Sequence, residues 1–214
     1  MKKIGALGSG IVGKTLADGF VELGHEVMRG SRDGGKLSEW KQGAGERAKT
    51  GTFAETARFG DVVVLAVKGT AAEAAVEACA GGLDGKTVLD ATNPIAEAPP
   101  VNGVLQFFTG PNESLLERLQ KRAPKAHFVK AFSCVGNALM VNPKLGGQVP
   151  TMFICGDDAK ARAEATAILA AFGWETEDLG SAASARAIEP LCMLWCIPGL
   201  QHNRWSHAFK LLKA

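Results

Sequence analysis

Three glycines at G-x-G-x-x-G spacing, Gly8, Gly10 and Gly13, are the residues of this chain most clearly placed to do chemistry. They lie between a short apolar run and an amphipathic stretch, in KIGALGSGIVGKTLADGFVELG. Each answers a different need of a loop that holds a diphosphate: a tight turn, room for the ligand to reach the backbone, and close packing of helix on strand. Free N–H groups and the positive end of the helix dipole would hold the anion. The end of the second apolar run adds to this. A site built for NAD usually carries an acidic residue there for the ribose hydroxyls, whereas this chain has Gly30-Ser31-Arg32 and then Lys36. A hydroxyl and two cations complement a 2′-phosphate, the arginine by stacking or by a charge-assisted fork. At roughly 1.5–3 kcal/mol for each such hydrogen bond, a tens-fold preference for NADP(H) over NAD(H) is expected.

The elements that must position these residues follow from periodicity. Lys3 to Leu7 reads as a strand, and Ile11 to Leu23 as a helix with Leu16, Phe20 and Leu23 on one face, ended by Gly24. A strand at His25–Met28, a short helix at Lys36–Gln42, a brief strand near Lys49–Gly51 and a helix from N-cap Thr52 to Phe59 come next. Asp61 to Val67, DVVVLAV, is the continuous β-branched run of a strand buried on both faces. A helix at Ala71–Ala80 and a strand at Lys86–Asp90 continue the alternation. The class is α/β, a Rossmann-type doubly wound, mostly parallel sheet. Ligands of such sheets sit at the carboxyl ends of the strands. That edge collects Val67, Lys68 and Gly69, then Thr92, Asn93 and Pro94, and Ser133 to Asn137 after a strand at His127–Phe132.

Ala91 to Gly110 is the longest irregular stretch, and its prolines and adjacent Phe107 and Phe108 suit a loop that packs something flat and apolar. Asn112 or Ser114 opens a helix reaching Arg122. A strand at Thr151–Cys155 leads through Asp157 and Asp158, read as turn and N-cap rather than as an acid–base pair, into an alanine-rich helix ending at Phe172. Trp174–Leu179 forms a last strand. An apolar helix at Ser184–Trp195, broken near Ile197-Pro198-Gly199, and a final turn at His207–Leu212 complete a small C-terminal helical extension. The expected division is 1–140 as dinucleotide-binding core and 141–214 as a strand-helix extension packed on the same domain.

Bulk properties exclude other classes. A net charge of +2 gives no electrostatic case for nucleic acid or an anionic membrane surface. No apolar run approaches the ~18 residues of a membrane span, and the Lys2-Lys3 opening reads as strand and loop rather than as a signal peptide. Five cysteines without C-x-x-C spacing argue for reduced thiols and a cytoplasmic location. Cys192, Cys196, His202 and His207 raise a metal site, but helical cysteines are usually buried hydrophobes, so no metal is expected. The chain has no tyrosine, which excludes short-chain dehydrogenases that use one as proton donor, and it lacks the helical G-x-x-x-K-x-x-N of 2-hydroxy-acid dehydrogenases. No catalytic acid–base residue is assigned. The apolar final helix, with exposed-looking Trp195 and Trp205, points to a homodimer, against the alternative that it covers its own sheet.

Taken as an ordered set, LGSGIVGKTLADGF, LGHEVMRGSR with Lys36, DVVVLAV, FVKAF, VPTMFICGDD, RAIEPL and FKLL resemble the NADPH:F-420 oxidoreductase family. They also resemble the related cytosolic oxidoreductase domain of six-transmembrane metalloreductases. The resemblance implies that Ser9, Gly10, Ile11 and Val12 line the pyrophosphate and that Ser31, Arg32 and Lys36 hold the 2′-phosphate. It implies further that Asn93, Pro94 and the segment near Gly136 approach the nicotinamide. Lys68 departs from a common proline and Ser133 from the asparagine of metalloreductase domains; both edge the acceptor pocket. The expected activity is hydride transfer between NADP(H) and a planar acceptor, coenzyme F-420 or a flavin, which needs ring alignment and water exclusion more than an acid or base. The ring is expected against Pro94, the Phe107-Phe108 loop and the helix around Trp195. The competing readings are an NADP(H)-binding redox sensor without turnover and a reductase of a small carbonyl or imine.

Overall fold

A strand with helices on both faces can carry no exposed polar face, and the central strands obey this. In the computed structural model, which describes residues 1–214, β4 (Val62–Leu65) is buried at all four positions and β1 (Lys3–Leu7) at four of five. With β2 (Glu26–Gly30), β3 (Ala48–Gly51), β5 (Thr87–Asp90) and β6 (His127–Lys130) they form one parallel sheet in the order β3-β2-β1-β4-β5-β6. The order reverses between β1 and β4, which opens a crevice at that point of the carboxyl edge. Register levels the edge, since Leu7 pairs with both Gly30 and Leu65, Leu65 with Asp90, and Asp90 with Lys130.

Two apolar layers flank the sheet. On one side α1 (Ile11–Glu22) and α6 (Ala159–Ala171) contribute Leu16, Phe20, Ala165 and Leu169, closed by Phe172 and Trp174. On the other, α3 (Phe53–Phe59), α4 (Ala72–Glu77) and α5 (Leu115–Arg122) contribute Ala57, Val76, Leu116 and Leu119. Residues from both sides of position 140 share these cores, Phe20 with Phe172 at 4.9 Å between ring centroids. Capping boxes begin α3 (Thr52 with Glu55) and α5 (Ser114 with Glu117), and Asp158 caps α6 through the N–H of Ala161. Asp157 instead accepts from the N–H of Ala182, so neither carboxylate faces the carboxyl edge of the main sheet. The short helix α2 (Ser38–Gly43) places Trp40 against the first layer.

Several expectations require correction. The second strand begins at Glu26 and runs to Gly30, two residues later than the apolar run ends, because pairing with β1 extends to Leu7. The two strands expected beyond residue 150 are present as β7 (Thr151–Ile154) and β8 (Glu175–Asp178), a separate parallel pair joined to the main sheet by an antiparallel bridge between Lys130 and Cys155. The chain breaks at Glu189-Pro190, between α7 (Ala185–Ile188) and α8 (Leu191–His202), and α8 continues through Pro198. Pro198 lacks the N–H that would reach Leu194 O; the carbonyl of the next residue, Trp195, meets His207 Nε2 at 3.0 Å, and Asn203, at φ +50°, ends the helix. Residues 203–214 form neither helix nor strand where a final turn is expected, and are tied down where the N–H of Thr151 donates to Phe209 O. Trp195 is buried, stacked on His207 and packed near Trp205 at 5.5 Å. No helix is long and apolar enough to cross a membrane.

Candidate functional site

The crevice between β1 and β4 is lined by the glycine loop. Gly8 follows β1 at φ +141°, a conformation other residues rarely adopt, and its N–H donates to Gly30 O at 2.9 Å. A Cβ there would lie 2.2 Å from Ala66 O, and one at Gly13 would lie 2.7 Å from Gly8 O, so strand, loop and helix approach more closely than side chains allow. A Cβ added at Gly10 would meet no atom within 4 Å, so that side of the loop is open. Unlike α3, α5 and α6, α1 begins without a side-chain cap, and its first turn holds no acidic residue. Its leading N–H groups therefore face open space, as an anion site requires.

A cleft of about 640 Å³ runs from Gly8, Ser9 and Gly10 past Ser31, Arg32 and Lys36 to Val67 and Lys68. Ser31 is buried and its Oγ accepts from the N–H of Asp33 at 3.3 Å. Asp33 itself caps the following turn through the N–H of Gly35, which occupies one carboxylate oxygen. Arg32 and Lys36 are exposed, and neither side chain has an ion pair or hydrogen bond within the protein. Ile11 opens onto an adjoining cavity beside Lys14 and Trp40, while Val12 is half-buried and Gly13 buried in α1.

Asn93, Pro94, Gly69 and Gly136 form a second group beyond the cleft. Gly69 presses on the Asn93 backbone so closely that a Cβ would lie 1.9 Å from Asn93 O. Asn93 Nδ2 donates to Ser133 O at 2.8 Å, which joins the segments after β5 and β6. Asn93 Oδ1 and Ser133 Oγ are buried without partners. Gly136 lies under the Trp195 ring, 2.6 Å from where its Cβ would be. Phe107 is bridged to Ile95, and Phe108 lies beneath the Arg118 guanidinium at 5.6 Å. Among residues 66–69, 91–94 and 131–136, Lys68 is the only titratable side chain in contact with solvent, since Cys134 is buried with its thiol pushed up to about 12 by that burial. Cys192 and Cys196 face one another on α8, raising Cys192 and lowering Cys196, while His207 is engaged with Trp195.

Two features escaped the reading of residue types. Arg29, inside β2, is 2% exposed. Its Nη2 donates to Gly8 O at 3.0 Å and Gly10 O at 3.2 Å, and its guanidinium lies 5.0 Å from the Trp40 ring centroid. Burial pulls its pKa below the usual arginine value and the Asp18 carboxylate pushes back. The other feature is a buried ion cluster of Asp90, Lys130 and Glu189 below the segment after β5. Each lies in an apolar run, and a charge there is the signal that marks a buried network.

Residues 3–94 match the family described as NADP oxidoreductase, coenzyme F420-dependent. A solved structure from Arthrobacter sp. FB24, named as a candidate F420-dependent NADP reductase, is 30% identical with a TM-score of 0.93 and covers 100% of both chains. This chain belongs to the F420-dependent NADP oxidoreductase family. It is an oxidoreductase of that Rossmann-type fold. Metalloreductase STEAP3 of Rattus norvegicus is 30% identical over 203 residues, which are 92% of this chain. The chain spans only 38% of that metalloreductase's length. A reductive aminase from Aspergillus terreus solved with NADPH and ethyl levulinate shares the fold at 20% identity and a TM-score of 0.67, over 91% of this chain and 60% of that one.

Proposed function

We propose that this oxidoreductase transfers hydride between NADP(H) and a planar acceptor, a 5-deazaflavin of the F420 type or a flavin. The observation that carries the reading is the pair of unpaired cations, Arg32 and Lys36, beside buried Ser31 at the end of β2, next to an uncapped helix and an open Gly10. In this reading the first turn of α1 takes the diphosphate and Ser31, Arg32 and Lys36 take the 2′-phosphate, which distinguishes NADP from NAD by charge. Asn93, Pro94 and Gly136 then border the nicotinamide, with Val67 and Gly69 beside it. Bound there, the dinucleotide supplies the hydride, and the chain's own residues orient and shield it. Trp195 over Gly136 gives the apolar wall that excludes water from two stacked rings. Asn93 Oδ1 and Ser133 Oγ provide unsatisfied polar atoms at that edge for polar substituents of a ring.

Lys68 favours a second reading, reduction of a small carbonyl or imine, because it is a side chain able to donate a proton at the same edge. Turnover separates the two. The purified protein with NADPH is expected to reduce F420, FMN or FAD and to leave a cyclic imine and a small ketone untouched. Lys68→Met is expected to leave that rate within about threefold, far less than the 10²–10⁴ that loss of a general acid removes. Tight NADPH binding with no oxidation by any acceptor would favour the redox-sensor reading instead.

A further inference from the structure

Lys130 ends a buried strand and has no accessible side-chain surface. Its ammonium lies 2.6 Å from Asp90 Oδ2 and 2.9 Å from Glu189 Oε1, and donates to the backbone oxygen of Thr92 at 2.9 Å. The ammonium thus sits between two carboxylate oxygens and one carbonyl oxygen. The carboxylates are engaged again on their other sides. Asp90 Oδ1 accepts from the N–H and hydroxyl of Thr92 at 2.9 and 2.6 Å, and Glu189 accepts the first two N–H groups of α5, from Leu115 at 2.9 Å and Leu116 at 3.0 Å. Burial alone would discharge Lys130, but the two carboxylates outweigh it and leave its pKa raised.

A buried ion cluster of this kind is a poor source of stability, because well-packed apolar side chains of the same volume serve as well or better. What it supplies is a fixed geometry. All three polar groups of Thr92 are tied to it, and the next residue is Asn93, held against Gly69 on one side and bonded to Ser133 O on the other. Glu189 stands at the joint before α8, the helix that brings Trp195 over Gly136. One cluster therefore connects the floor of the ring site with its wall.

Resting on the function proposed above, we infer that Asp90, Lys130 and Glu189 are positioning residues for hydride transfer. They fix the Thr92-Asn93 turn relative to α8, and so the spacing of the two rings, without touching either. A misplacement of about 1 Å is enough to lower the rate on the order of a hundredfold.

The test uses Thr92→Val, which keeps the shape and removes one bond to Asp90, and Glu189→Gln, which keeps the length and removes the charge. For each variant, NADPH affinity, melting temperature and single-turnover hydride transfer from NADPH and its 4-deuterated form are measured with the acceptor the wild type reduces. Both variants are expected to bind NADPH as the wild type does. Transfer falls about tenfold or more, as loosened reacting atoms require, and the isotope effect becomes temperature-dependent. Unchanged transfer and isotope effect in a variant that binds NADPH overturn the inference, whether or not its melting temperature falls. A wild type that reduces no acceptor at all overturns the proposed function and this inference with it, and that outcome is read from the wild type alone.

Discussion

Replacing Arg29 by methionine tests whether a cation sealed under the glycine loop shapes it for a diphosphate. The side chain is 2% exposed, donates to Gly8 O and Gly10 O at 3.0 and 3.2 Å, and has no ion pair with a carboxylate. Two hydrogen bonds from a charged group contribute about 3–6 kcal/mol together. Removing the guanidinium also relieves its desolvation, visible in the downward pull of burial on its pKa, so the net loss is set near ~2–3 kcal/mol. For a domain of this size that lowers the melting temperature by roughly 4–12 °C. The loop would lose the tie on two carbonyls that turns its N–H groups outward, and the site would lose a positive charge. NADPH affinity is therefore expected to fall about tenfold, or ~1.4 kcal/mol, by isothermal titration. Arg29→Lys separates the two effects: it keeps the charge and loses the fork, so affinity recovers in part while stability does not. If Arg29→Met matches the wild type in both melting temperature and NADPH affinity, the loop does not depend on this residue and the argument fails.

Three further outcomes follow from single contacts. Arg32→Ala should weaken NADPH by roughly 10- to 150-fold, the equivalent of one hydrogen bond from a charged group, and leave NADH unchanged; equal losses for both would remove the 2′-phosphate assignment. Gly69→Ala drives a Cβ into Asn93 O, 1.9 Å away, and should lower hydride transfer at least about tenfold with much less effect on NADPH affinity, measured by stopped-flow and titration. Glu117 is bonded by Arg186 at 2.6 and 3.0 Å and by the Ser114 cap, which lower its pKa from 4.5 to about 2. A depressed carboxylate contributes stability above its unfolded pKa and loses it as pH falls through the folded one. The stability advantage of the wild type over Glu117→Gln, followed by urea melts, should accordingly be full above pH 4.5 and vanish near pH 2.

How far the sequence revealed this protein depends on where each residue's partners lie. Loop and strand assignments around Gly8, Thr52, Val62–Leu65 and Ser114 rest on bonds made within a few residues or on unbroken apolar runs, and those elements fall where periodicity placed them. Pro198 reads as a break because the rule that proline breaks helices is local, whereas the segment that packs back on this stretch of α8 is distant: Trp195 is bonded to His207, twelve residues on, through both its Nε1 and its carbonyl. Trp195 looked exposed for the same reason: Gly136 and Trp205 cover it from elsewhere in the chain. Arg29, Lys130 and Glu189 sit inside apolar segments and read as parts of them, although a charge between buried neighbours has to find a partner at long range. Those partners are the loop carbonyls for Arg29 and the cluster around Thr92 for the other two. The residues proposed to face the phosphates are legible because the fold leaves the Arg32 and Lys36 side chains exposed and without partners of their own. The residues that hold the site's shape are hidden because their partners are supplied by the fold from distant parts of the chain, so a charge embedded in an apolar run is where to look for them.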